Sequence, residues 1–113
     1  MSATIYHNPK CSTSRKTLDL LRDNGIEPEI VQYLKTPPTR AELAAMIADA
    51  GIDVRTAVRK REALYSKLNL ADASDDELLD AMAAHPILIE RPFVVTSKGT
   101  RLARPIDAVR DIL

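Results

Sequence analysis

The sequence predicts an α/β fold, a four-stranded mixed β-sheet built in the order β-α-β, a helical block, then β-β-α. Three observations carry that prediction. A strand, a helix and a strand follow one another within the first 34 residues. Two helix-start signatures of the capping-box type, at Thr39 and Ser74, bracket a stretch with helical periodicity. After Pro92, two short apolar runs flank a Gly-containing turn, as in a β-hairpin.

Taken in order, "ATIYH" (3–7) reads as a short strand closed by Asn8-Pro9. From Ser12 the pattern turns helical: Leu18 and Leu21 share one face, while Arg15, Lys16, Asp19, Arg22 and Asp23 cover the others. Asn24-Gly25 ends that helix, with Gly25 suited to the left-handed position after a helix. "EIVQYL" (29–34) returns to strand, and a βαβ unit makes the two strands parallel with a right-handed crossover. Thr39 with Glu42 opens the next helix, which buries Leu43, Met46, Ile47 and Ala50 before Gly51. Residues 54–68 read as helical but broken. Ser74 with Glu77 opens a helix carrying Leu78, Ala81 and Met82, which stops at His85-Pro86. "FVVTSKGTRLA" is the hairpin, and Ile106, Val109 and Leu113 mark a last short helix. This order is the thioredoxin-like arrangement, expected as one domain over 1–113 with a helical insertion at about 39–85.

The bulk composition narrows the function classes. Sixteen basic and 16 acidic side chains cancel, which points away from nucleic acid or an anionic membrane as the main partner. Forty-five per cent hydrophobic and 28% charged residues are ordinary for a soluble globular chain. No run approaches the ~18 apolar residues of a membrane span, and no signal peptide is visible, so a cytoplasmic protein is expected. A monomer is expected from the size and the lack of a spare apolar stripe. There are no clustered Cys/His ligands and no Gly-rich phosphate loop, so no bound metal or cofactor is expected.

The single cysteine, Cys11, is the chemical feature. A lone cysteine is often just a small hydrophobe. Its neighbours Lys10, Ser12, Thr13, Ser14 and Arg15 are all polar, however, and it sits where a loop meets a helix N-terminus. Unpaired backbone N–H groups and the helix dipole there favour a thiolate and would also bind an arriving oxyanion. His7, at the strand end, is a candidate thiolate activator through a protonated ring. Ser14, one helical turn on, is a candidate hydrogen-bond donor to the sulfur. Without the cysteine, His7 reads rather as a surface histidine bonded to backbone, and Ser14 reads equally as a helix-start cap. Thioredoxins and glutaredoxins carry a second cysteine where "CSTS" has Ser14, so a dithiol disulfide reductase is excluded by inventory. Redox chemistry at Cys11 needs an external thiol to complete the cycle.

"YHNPKCSTSR" resembles the active-site loop of the glutaredoxin-coupled arsenate reductase family, including its chromosomal YfgD-like branch. The resemblance continues through "YLKTPPTRAEL", "RTAVRKREALY", "LNLAD", "HPILIERPFVVT" and "GTRLARP", covering nearly the whole chain in order. It implies a thioredoxin-like fold, Cys11 as nucleophile, and three oxyanion-binding arginines at Arg59, Arg91 and Arg104. Guanidinium suits a tetrahedral oxyanion, because its planar fork donates paired charge-assisted hydrogen bonds and stays protonated. By analogy with the fold, Arg91-Pro92 is expected to be a cis peptide facing the nucleophile loop. Arg55, Arg61, Arg101 and Arg110 read as solvated surface charges. The implied reaction takes arsenate to arsenite, with glutathione as co-substrate and glutaredoxin as partner. Two alternatives stand beside it. One is a regulatory or interaction module like the Spx transcription regulators, whose CxxC switch "CSTS" lacks; the other is a glutathione-linked thiol oxidoreductase with another substrate.

Overall fold

The computed structural model describes residues 2–113 and forms two compact units, one from the chain up to Thr36 with Arg91–Leu113, the other from Pro37–Glu90. The first unit holds the sheet. Strand β1 (Ala3–His7) lies between β2 (Glu29–Gln32) and β3 (Phe93–Thr96), with β4 (Gly99–Leu102) at the far edge. β1 and β2 run parallel, Ile5 facing Ile30 and His7 facing Gln32; the β1–β3 and β3–β4 pairs are antiparallel. This is the mixed thioredoxin-like sheet that the element order predicts.

Helix α1 (Ser12–Asp23) buries Leu18 and Leu21 in a cluster with Ile5, Val94, Val109 and Ile112. Burying a leucine such as Leu21, which is fully enclosed, contributes roughly 1.5–3 kcal/mol. The helix ends as its sequence predicts: Gly25 takes a φ of +75°, its N–H bonds Arg22 O, and the Ile26 N–H reaches Leu21 O. That pair of bonds is the Schellman motif. Two boundaries differ from expectation. β2 stops at Gln32 rather than running to Leu34, because Gln32 O accepts the N–H groups of Lys35 and Thr36 and turns the chain. The terminal helix, Ile106–Ile112, is of the tighter 3-10 kind.

The second unit is helical. Helices α2 (Arg40–Asp49) and α5 (Asp75–Ala84) both start in reciprocal capping boxes, Thr39 with Glu42 and Ser74 with Glu77. The stretch between them is broken into α3 (Val54–Ala57), α4 (Ala63–Lys67) and a 3-10 turn at Leu70–Asp72. Leu43, Val58, Leu78, Met82 and Leu88 are its largest fully enclosed side chains. Arg55 corrects its reading as a solvated charge. Its guanidinium donates to Tyr65 Oη at 3.2 Å and Leu70 O at 3.1 Å, and also to Ala73 O, fastening the irregular segment.

Candidate active site

Cys11 sits at the C-terminal end of β1, in the position where ligands bind α/β sheets. Asn8 builds the turn that delivers it: Asn8 Oδ1 accepts the Lys10 N–H and Asn8 O accepts the Cys11 N–H, each at 3.0 Å. Cys11 then caps α1 in an extended conformation, and its carbonyl receives the first helical hydrogen bond, from Arg15 N–H at 3.0 Å.

The surroundings favour a thiolate. Burial pushes the Cys11 thiol up, but the Ser14 N–H, the Arg91 guanidinium and the Thr13 N–H together outweigh it and hold the pKa below the ordinary thiol value. These N–H groups act from the first turn of α1 without closing a capping hydrogen bond of full geometry. Arg104 adds a second guanidinium: Nη2 lies 3.8 Å from Cys11 Sγ, while Nε donates to Arg91 O at 2.9 Å. One arginine therefore ties the other's backbone to the nucleophile. The Arg91-Pro92 peptide is cis as the fold analogy predicts, and Arg104-Pro105 is cis as well. A cleft of about 240 Å³ lined by Thr13, Ala103, Arg104, Pro105 and Ile106 opens on the flank of Arg104.

Arg91 is the unusual member. It is only 7% exposed, and its Nε and Nη1 are buried without a hydrogen-bond partner among the described residues. Tyr33 Oη is buried unpartnered too, with the Asn8 and Arg91 side chains against it but no bond of good geometry formed. Unsatisfied buried donors are rare in native proteins. Guanidinium donors beside a thiolate suit a tetrahedral oxyanion.

Three of the predicted site residues act differently from expectation. His7 does not present a protonated ring to the sulfur. It is buried, and burial together with the charges of Arg15 and Arg22 holds its pKa below the usual histidine value. Its Nδ1 pairs instead with Ser14 Oγ at 2.6 Å. Ser14 Oγ also accepts the Asn8 N–H at 3.0 Å, so the hydroxyl fastens the turn while the backbone N–H of Ser14 serves the thiolate. Arg59 belongs to the second unit, where an isolated β-bridge pairs Val58 with Ile89. Its side chain is clamped by Glu62 at 2.9 Å and Glu90 at 3.1 Å. Tyr33 carries no signal in the sequence, where it reads as a strand residue of "EIVQYL"; in the fold it falls one position beyond the pairing of His7 with Gln32, beside Asn8. Among the described residues no group of three or more His, Cys, Asp or Glu side chains is placed to hold a metal ion, and no helix is long and apolar enough to cross a membrane.

Residues 6–112 match the ArsC family. The chain belongs to that family. It is 60% identical over 115 residues to the arsenate reductase of Rhizobium meliloti (strain 1021), covering all of this chain and 82% of that protein. It is 46% identical over 112 residues to the uncharacterized protein YfgD of Escherichia coli (strain K12), covering 96% and 94% of the two chains. In structure it is similar to the arsenate reductase of Vibrio cholerae, with a TM-score of 0.95, 50% identity, and coverage of 100% and 98%.

Proposed function

We propose that the chain is an arsenate reductase in which Cys11 is the nucleophile. The observation that carries this reading is the pairing of a stabilised thiolate with a nearly enclosed guanidinium, Arg91, whose Nε and Nη1 have no partner among the described residues. The high identity to proteins named arsenate reductase supports the substrate.

In the proposed reaction the Cys11 thiolate attacks arsenic(V), a sulfur–arsenic bond forms, and one oxygen leaves as water after protonation. Arg91 and Arg104 neutralise charge on the remaining oxygens, so the nucleophile and a like-charged substrate approach one another. The Ser14 and Thr13 N–H groups stabilise the attacking sulfur before the step and release it as the bond forms. Glutathione then attacks the adduct; a disulfide forms and arsenic keeps the sulfur–arsenic bonding pair, becoming arsenic(III). Arsenite departs, and a glutaredoxin thiol reduces the mixed disulfide to restore Cys11. The cleft beside Arg104 offers the second thiol an approach, and the absence of any other cysteine in the chain makes that thiol external. The reading is tested by arsenate-dependent NADPH oxidation in the presence of glutathione, glutaredoxin and glutathione reductase. Turnover by the parent that is lost in Cys11→Ser supports it; no arsenate-dependent signal from the parent, alongside an active reductase, overturns it.

A further inference from the structure

Three buried polar side-chain atoms have no hydrogen-bond partner among the described residues, and they fall on two side chains, Tyr33 and Arg91. Tyr33 is 1% exposed and one of the largest fully enclosed side chains of the molecule. Packing alone does not account for its hydroxyl, since phenylalanine would fill the same space without stranding a polar atom. The backbone places it deliberately. β1 and β2 are parallel and in register through His7 and Gln32, so Tyr33 emerges beside Asn8 at the C-terminal ends of both strands, next to the turn that carries Cys11. The Arg91 guanidinium lies against its hydroxyl, and the Cys11 charge is felt there.

We propose that Tyr33 is a ligand of the substrate: its hydroxyl donates a hydrogen bond to an oxygen of the tetrahedral oxyanion held by Arg91 beside Cys11. The inference rests on the oxyanion reading of the site and adds to it a neutral donor beside the two arginines. Burial keeps the phenol protonated, opposed only in part by Arg91 and Asn8, so the group enters the site as a donor. An oxyanion oxygen at Tyr33 Oη would give that hydroxyl the partner it lacks among the described residues. Such a donor also sharpens selection for anions with an oxygen at that corner, because a ligand lacking it leaves the hydroxyl stranded again.

The test uses reversible arsenate binding, followed calorimetrically, to the full chain carrying Cys11→Ser, with and without Tyr33→Phe. Loss of the hydroxyl is expected to weaken arsenate binding on the order of 10-fold, as for a hydrogen bond to a charged group. The ligand-free unfolding midpoint is expected to stay level or rise. A merely structural tyrosine would lower that midpoint and leave affinity unchanged, which overturns the proposal while leaving the oxyanion site standing. A second readout needs no variant at position 33: the NMR signal of the Tyr33 ring carbon bearing the hydroxyl shifts on saturation with arsenate. A signal unmoved at saturation overturns the proposal. Failure of the Cys11→Ser chain to bind arsenate at all overturns both this inference and the oxyanion reading.

Discussion

Arg91→Met is expected to stabilise the ligand-free protein while destroying its anion site. Methionine approximates the length of the arginine stem and brings no donors. In the parent, Arg91 is 7% exposed with Nε and Nη1 stranded, and each unsatisfied buried donor costs about 1–3 kcal/mol. The opposing contribution is the attraction of the guanidinium for the Cys11 thiolate, which vanishes once the thiol is protonated. At a pH low enough for that, the variant should gain about 2 kcal/mol. Urea unfolding reads this as a higher midpoint at an unchanged slope. Arsenate then separates the two proteins in the other direction. At a hundredfold excess over its dissociation constant it adds about 2.7 kcal/mol to the parent and little to the variant. A variant less stable than the parent without ligand at low pH, or one stabilised equally by arsenate, would refute the account of Arg91 as a donor held ready for an anion.

Other consequences are simpler to read. Because the Cys11 pKa is depressed in the folded state, thiolate stabilisation is absent below the folded value. It grows as pH rises and is complete above the ordinary thiol value of about 8.5. The stability difference between parent and Cys11→Ser, measured by urea unfolding from about pH 5 to about pH 9, should widen in favour of the parent; a flat difference contradicts the depressed pKa. Ser14→Ala strands the Asn8 N–H and His7 Nδ1 in a buried site, and should cost about 1–3 kcal/mol. Ser12→Ala, at an exposed neighbour, should stay within about 0.5 kcal/mol of the parent by the same unfolding assay. Ser74→Ala removes the cap that receives the Glu77 N–H at 3.2 Å and should lower stability by about 1 kcal/mol in thermal unfolding.

Much of the fold was legible because it is specified locally. Both capping boxes, the Schellman end of α1 and the βαβ order need only residues within a few positions of one another. What escaped depends on distant parts of the chain. Arg55 looked solvated because its partners lie 10, 15 and 18 residues away. His7 and Ser14 were placed in the site by their spacing from Cys11. Yet spacing could not reveal that they bond each other, nor that burial disfavours charging of the imidazole. Arg91 and Arg104 are 80 and 93 residues beyond Cys11 in the chain, and only the family resemblance pointed to them. Tyr33 had no signal of its own, since a hydroxyl is remarkable only when it is both buried and unpartnered.

The most direct test of the central claim is the chemical form of the arsenic released. Arsenate incubated with the protein, glutathione and glutaredoxin should be converted to arsenite, resolved by anion-exchange chromatography, over many turnovers. The Cys11→Ser chain should produce none above the thiol-only background. Arsenite formed equally by Cys11→Ser, or by neither protein, would contradict the assignment of Cys11 as the nucleophile of an arsenate reductase.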